Sequence, residues 1–281
     1  RFAQNWKFDA RVLGRYGYQV AGPTGDPMVA AYLLDPVRGS YKLDDLAQRL
    51  LQHHMIAYAD IAEGLHHFGY VPLEKAVTYA AEDADATLRL AFRLRAELES
   101  EGMLALYDEL ELPLAPVLAR MEDRGILLDG HVLARLSEEL SQRIADSEVK
   151  CHTLAGEEFN LGSPKQLGVI LFDKMGLPPS KKTKTGYSTD VTVLEKLSLQ
   201  GHEIAQSLLA WRHDSKLRST YTDVLPTLAW DDGRIHTNFR QTRTATGRLA
   251  SNEPNLQNIP IRTEDGRRIR EPFVAAPGHR L

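Results

Sequence analysis

One run restricts the fold more than any other. Leu133, Leu136, Leu140, Ile144, Ser147, Cys151 and Leu154 recur at near-heptad spacing, which predicts about six turns of helix with a single apolar seam. A seam of that length cannot face water and needs a partner. The chain supplies candidates downstream. Ser163 is placed to cap a helix running through Met175, with Leu167, Ile170, Leu171 and Phe172 on its apolar side. Thr189 or Asp190 caps another that bears Val193, Leu194 and Leu197, and a third runs from about His202 to Leu225. The pattern predicts two long antiparallel helices with the basic loop KKTKTGYST, residues 181–189, at one tip: an arm.

Upstream, Arg11–Tyr18 and Met28–Leu34 have helical spacing. Thr78–Gly102 reads as a helix with Leu88, Ala91, Phe92, Arg95 and Leu98 on its buried stripe. A further helix covers Leu104–Arg124, with Leu110, Leu114, Val117, Leu118 and Met121 on one face, and Pro113 and Pro116 should kink or divide it. Ile126–Asp129 is a short extended link, and Asp129 can cap the long helix. After Pro226 the period changes to two. Ile235, Thr237 and Phe239 alternate with His236, Asn238 and Arg240, which predicts a strand followed by a hairpin or loop.

A chain of 281 residues with 43% hydrophobic and 26% charged content has room for about two globular domains. The lone cysteine excludes an intrachain disulfide, and no apolar run approaches a membrane span. A reducing, cytoplasmic setting without a membrane is therefore expected. Both ends read as lying inside structural elements, so a longer parent chain is also expected. Net charge is −4, which argues against a uniformly basic nucleic-acid binder. Between Arg234 and Arg270, however, eight arginines face only Glu253, Glu264 and Asp265, and Lys181, Lys182 and Lys184 form a second basic cluster. Two local basic patches on an acidic body suggest a polyanion held at defined places; the lysines alone suit a solvated face equally well.

Two constellations carry chemistry. In YAAEDAD, Tyr79 and Asp83 are four residues apart and share a helix face. A tyrosine and a carboxylate so placed could ligate a hard cation and orient a water, although acidic residues also favour a first helical turn for the dipole alone. QNWKFDA adds Asp9, with Asn5 four residues before it; a surface aspartate is the ordinary alternative. His53, His54, His66 and His67 lack cysteine support and the geometry of a zinc site.

The second constellation is TATGRLASNEPNLQNIP, residues 244–260. It is short of large apolar residues and rich in side-chain amides. A protein indifferent to DNA sequence would read the minor groove, where purine N3 and pyrimidine O2 acceptors sit in nearly equivalent places. Arg248, Asn255, Gln257 and Asn258 are suitable donors, with Thr244, Thr246 and Ser251 suited to phosphate. A capped polar loop would explain some asparagines but not the arginine excess.

TATGRLASNEPNLQNIP followed by GRRIREPFVA strongly resembles the segment of family A DNA polymerases just before their first catalytic motif. KLRSTYTDVLP resembles the base of that family's thumb, and GEEFNLGSPKQLGVILF with SKKTKTGYST its thumb tip. The Asn5/Asp9 and Tyr79/Asp83 pairs resemble the second and third motifs of DnaQ-like 3′–5′ exonucleases. The resemblance implies an α+β multidomain, mostly helical fold. Residues 1–102 would be the C-terminal part of a truncated ribonuclease H-like α/β exonuclease domain, and 103–281 the N-terminal part of a polymerase domain. Within the latter, the helical thumb would span about 128–226 and the first strands of a palm about 227–281.

The resemblance also implies roles. Asp9 and Asp83 would each ligate one of two Mg2+ (or Mn2+) ions, Tyr79 would position the water, and Asp26 would be structural. Arg248 would contact the minor groove at the primer terminus, and Asn255, Gln257 and Asn258 would hold template and primer nearby. Arg262 would lie by the nucleotide pocket. Lys181, Lys182 and Lys184 would face duplex backbone, with Lys216, Arg218, Ser219 and Thr220 at the thumb's base. Tyr58 and Asn5 would help hold a single-stranded 3′ end. Implied partners are primer–template DNA, single-stranded 3′ ends and deoxynucleoside triphosphates, for a monomeric bacterial enzyme of the nucleoid acting in replication and excision repair. The family's polymerase aspartates and the first exonuclease motif, Asp-x-Glu, have no counterpart here, so this chain alone is expected to be inactive. A stand-alone exonuclease of the ribonuclease D type would explain Asp9, Tyr79 and Asp83 but nothing after Gly102. A non-catalytic DNA-binding module would explain the arginines but not the carboxylates.

Overall fold

The computed structural model describes residues 1–62, 64–179, 182–183 and 186–281, with Lys182 and Thr183 placed by backbone alone. The chain is mostly helical with small sheets. It forms two compact units that interleave along the sequence: Arg1–Gly125 with His236–Gln257, and Ile126–Ile235 with Asn258–Leu281.

The first unit begins with α1 (Trp6–Arg15), which starts earlier than the sequence suggested and buries Trp6 rather than its later aromatics. Asp26 caps α2 (Pro27–Leu34), accepting from the Met28 N–H; proline at the first position needs no donor there. Asp26 also accepts the N–H groups of Asn5 and Trp6, at 3.0 and 2.9 Å, so one carboxylate fixes the starts of both helices. It is 2% exposed. Helix α3 (Leu73–Ser100) begins five residues before Thr78. Its buried face is Ala86, Leu90, Ala91, Leu94 and Leu98, which keeps Ala91 and Leu98 of the predicted stripe but not the rest: Leu88 is exposed, and Phe92, 60% exposed, lies with its ring 5.4 Å from that of Phe2. The Leu104–Arg124 stretch changes helical pitch ahead of Pro113, whereas Pro116 lies inside a helix that it does not divide. A π-helical turn (Tyr107–Glu111) leads into α4 (Leu112–Arg124), with Pro113 near the N-terminus. Here too the face differs in part: α4 buries Leu118 as predicted, together with Leu112, Ala115, Ala119 and Glu122, but exposes Val117 and Met121, and Leu110 is exposed on the π-helical turn. The core joins Val29, Tyr32, Leu46, Leu90, Leu94, Leu98 and Tyr107.

The second unit starts with strand β1 (Ile126–Leu128). Asp129 caps α5 (Gly130–Ala155) as expected, accepting from His131 and Val132. Ser163 caps α6 (Pro164–Gly168), which continues as a π-helical stretch to Lys174. Strands β2 (Lys182–Thr183) and β3 (Gly186–Tyr187) form an antiparallel hairpin. Asp190, not Thr189, caps α7 (Val191–Leu199), and α8 (Glu203–Leu217) follows, widening into a π-helical turn at Arg218–Thr222. Side-chain ties between α5 and the α8 segment pair Ser137 with Asp223, Ser141 with Arg218, Arg143 with Asp214 and Lys150 with Glu203. Numbers rise on one element as they fall on the other, so the predicted antiparallel arm is present. Its core holds Cys151, Leu161, Leu167, Leu171, Leu194, Leu197, Ala205 and Leu208. Burial pushes the Cys151 thiol up to about 11, leaving it inert as a nucleophile.

The alternating run after Pro226 is not one strand. It splits into β4 (Arg234–Ile235), which pairs with β1 in the second unit, and β5 (Asn238–Arg240), which pairs with β6 (Ala250–Asn252) in the first. The buried Thr237 hydroxyl, 2.7 Å from Ser251 Oγ, ties the root of that hairpin. Helix α9 (Glu264–Arg268), capped by Thr263, precedes β7 (Phe273–Val274), and β7 completes a sheet of order β4-β1-β7.

Candidate functional site

Tyr79 and Asp83 stand one turn apart and half-buried inside α3, away from its first turn, so the dipole does not account for Asp83. Burial pushes the Asp83 carboxyl up, and the negative charges of Asp44 and Glu82 push it further. The Tyr79 phenol is raised by burial and then by Asp83, Asp44, Tyr58 and Glu82. The Phe68 ring stacks on Tyr58 at 6.2 Å and meets Tyr79 at 6.0 Å, so it connects two aromatics that the sequence reading had singled out separately. Phe68 was missed; the only signal for it is the aromatic run FGY at 68–70. Glu82 accepts the Ile56 N–H at 2.7 Å and pairs with His53 at 2.8 Å, which gives that histidine a partner other than a metal.

Asp9 lies exposed on α1, though enough protein surrounds it to push its carboxyl up. Among the described residues no other charge shifts it, and Asp9 is not among the charges acting on Asp83. Asn5 precedes α1 in a left-handed conformation (φ 62°), and its side chain makes no capping bond. Carboxylate and phenol oxygens are the right donors for a hard divalent cation. Two ions need shared ligands, and Asp9 and Asp83 alone do not gather them, so the residues of this chain do not by themselves fit a two-ion centre. Among the described residues, the group of three potential ligands close enough for one ion is His213, Asp214 and Asp265. Arg143 already donates to both of those carboxylates, at 2.6–3.0 Å. It holds Asp265 below the usual range, whereas burial outweighs it at Asp214. A cation there would have to displace a guanidinium.

The first-unit part of TATGRLASNEPNLQNIP is held by its own amides. Gln257 Oε1 accepts the Ser251 N–H at 3.2 Å, and its Nε2 donates to Leu249 O at 2.8 Å. Asn255 Oδ1 accepts the Gln257 N–H at 2.9 Å. Both ends of the Gln257 amide are thus engaged within the loop. Thr244 Oγ1 donates to Arg248 O at 2.7 Å, closing a turn through Gly247, whose φ of 76° favours glycine. The Arg248 side chain is exposed and has no partner among the described residues.

In the second unit, Asn258 is exposed and its carbonyl accepts from Tyr221 Oη at 2.5 Å. Arg262, Lys216, Ser219 and Thr220 are exposed. Arg218 instead turns onto the arm, donating to Ser141 Oγ at 3.2 Å and pairing with Asp223 at 3.1 Å. Lys181 and Lys184 lie outside the described residues, and Lys182 is placed by its backbone alone in β2.

Glu122 was also missed. It is 1% exposed and takes Lys7, Arg11 and the Phe239 N–H. Burial lowers Lys7 despite this pairing.

Comparisons with known proteins cover the whole chain. The family described as "DNA polymerase family A" matches residues 130–281, and that described as "3'-5' exonuclease" matches residues 1–99. "DNA polymerase I" of Rhizobium leguminosarum is 48% identical over 100% of this chain and 28% of its own length. That of Treponema pallidum is 49% identical over 99% and 28%, and that of Pseudomonas aeruginosa 46% over 100% and 32%. The chain therefore spans under a third of the length of these relatives. A solved structure, the POL domain of Pol1 from M. smegmatis in complex with DNA primer-template and dNTP, is 42% identical with a TM-score of 0.82, over 98% of this chain and 45% of that one.

Proposed function

This chain belongs to DNA polymerase family A, with an exonuclease-family stretch before its polymerase match, and from that premise we propose that it supplies DNA-holding parts of a DNA-directed DNA polymerase with 3′–5′ proofreading. The full-length protein would extend primer 3′ ends on a template and excise mispaired ones, in replication and excision repair. Residues 1–102 would belong to proofreading and 103–281 to polymerisation, with the α5–α8 arm as thumb. The observation that carries the polymerase reading is the loop 244–257. Gln257 commits both ends of its amide, and Asn255 its Oδ1, to the shape of the loop, while Arg248 stands exposed and without a partner among the described residues, ready for a groove acceptor. Asn258, Arg262, Lys216, Ser219 and Thr220 would add donors and charge from the second unit, as would Arg218 once released from Asp223, and Lys181, Lys182 and Lys184 from the arm's tip.

On the proofreading side, Asp9 and Asp83 would contribute carboxylates to two magnesium ions, with further ligands from outside this chain. Such ions stabilise the charge that develops in phosphodiester cleavage. Tyr79 would orient the water, and Tyr58 and Asn5 would hold the single-stranded 3′ end.

The test is Arg248→Ala in the full-length protein. Primer–template affinity should fall by about 1–3 kcal/mol, equally for all four terminal base pairs, with folding stability unchanged because the exposed side chain makes no hydrogen bond or ion pair among the described residues. A loss confined to one base pair would refute minor-groove reading.

A further inference from the structure

The stretch 236–257 lies within the polymerase-family match, yet it packs as part of the unit that holds the exonuclease-family residues. Several hydrogen bonds hold it there. His236 Nδ1 lies 2.7 Å from Glu122 O, the Phe239 N–H donates to Glu122 Oε1 at 2.7 Å, Gln241 Nε2 donates to Glu111 O at 3.0 Å, and Tyr32 Oη donates to Thr244 O at 2.7 Å. The bonds from His236 and Phe239 both go to Glu122.

The surroundings of Glu122 are specific. Its Oε1 takes both Lys7 Nζ from α1 and the Phe239 N–H from β5, and its Oε2 takes Arg11 Nη1 from α1 at 2.6 Å. Lys7 Nζ reaches on to Phe239 O at 2.5 Å and Asn238 Oδ1 at 3.2 Å. Phe239 thus gives its N–H to a carboxylate and its carbonyl to an ammonium. On its other side β5 pairs with β6, with Phe239 opposite Ser251. The Lys7–Glu122 pair therefore occupies the free edge of β5 as a neighbouring strand would. A buried carboxylate with three charged or polar donors is sensitive, since removing its charge leaves Lys7 without a carboxylate partner and Arg11 with Asp123 alone.

Lys7 and Arg11 flank Asp9 on α1, and β6 begins two residues after Arg248. We propose that Glu122 is a positioning residue for both activities, locking the helix that carries Asp9 to the hairpin that carries Arg248. A shift of α1 then moves β5, and with it β6 and the stem of Arg248. The inference rests on the roles proposed above for Asp9 and Arg248.

Its test uses the full-length protein with Glu122→Gln, which keeps shape and loses charge. Excision of single-stranded 3′ ends and extension of paired primers are measured separately, each as kcat and KM. Excision kcat should fall and the extension KM for primer–template should rise, each on the order of tenfold, while KM for deoxynucleoside triphosphate is unchanged. Glu122→Asp, which keeps the charge, should recover much of both. Arg11→Gln, which frees Glu122 Oε2 from α1 but leaves Lys7 and the Phe239 N–H on Oε1, should lower excision more than extension. If Glu122→Gln fails to fold, Lys7→Gln takes its place, because it releases Phe239 O yet leaves Arg11 on Glu122; it too should move both activities. Movement of one activity alone, or of neither, by folded Glu122→Gln or Lys7→Gln overturns the proposal. Asp9→Ala and Arg248→Ala run alongside: if these leave excision and extension intact, the functional reading has failed, whatever Glu122 does.

Discussion

Asp26 is the place where acidity should show most clearly in the stability of this protein. Its carboxylate accepts three backbone N–H groups, which favours the charged form, but complete burial wins and pushes it from 3.8 to about 6. A shift of about two units corresponds to about 3 kcal/mol. The folded state holds this proton more tightly than the unfolded chain does. Below about pH 4 both states are protonated and the fold has its full benefit. Between about pH 4 and 6 the unfolded chain ionises first, so this group's contribution falls as pH rises and levels off above 6. Asp26→Asn carries no charge at any pH. Its oxygen can still accept from Asn5 and Met28, while its NH2 faces the Trp6 N–H that Oδ2 now accepts. The assay is urea unfolding of both proteins from pH 4 to 7.5. Subtracting the curves cancels Asp9, Asp83, Asp214 and Asp265, which also titrate abnormally. The variant should gain about 3 kcal/mol relative to the parent across pH 4–6. A flat difference would show that burial does not dominate, and one of opposite sign that the three N–H groups do.

Gln257→Ala removes both bonds that brace the loop, so it should cost about 1–2 kcal/mol of stability and weaken primer–template binding. The salt dependence of binding should stay unchanged, because no phosphate contact is lost. Arg143→Ala leaves Asp214, 3% exposed, without its counter-charge. Because Arg143 is itself half-exposed, the loss should be about 2–4 kcal/mol in urea unfolding, partly recovered by adding Asp214→Asn. Asp83→Ala should abolish excision of single-stranded 3′ ends in the full-length protein and spare extension; retained excision would remove Asp83 from the metal centre.

The arm was legible because its seam is local. Leu133, Leu136 and Leu140 can only be buried together, and Asp129, Ser163 and Asp190 announce their helices within three residues. The face of α3 was not. Leu88, Phe92 and Arg95 suit a helical stripe as well as Leu90, Leu94 and Leu98 do, and the Phe2 ring that Phe92 meets lies ninety residues away in sequence. Helix α4 misled for a related reason. A buried glutamate among alanines contradicts any reading by hydrophobicity, and the cations that permit it, Lys7 and Arg11, lie over a hundred residues upstream. In the loop, a side-chain amide suits a groove floor and a backbone brace equally, so composition could not show that Gln257 braces. Tyr79 and Asp83 share a face as their spacing requires, but the Phe68 ring joining Tyr79 to Tyr58 comes from a separate turn.

The chain passes from one unit to the other after Gly125, back after Ile235, and across again after Gln257. A protease that cuts at any single crossing would leave the two bodies covalently joined. A gene segment ending at Gly125 would encode a body stripped of β5 and β6, with Glu122 deprived of Phe239 and Glu111 of Gln241. The exonuclease-family stretch is therefore not a detachable cassette. Recombination that swapped it between polymerases would have to bring a matching hairpin, from within the polymerase match, along with it.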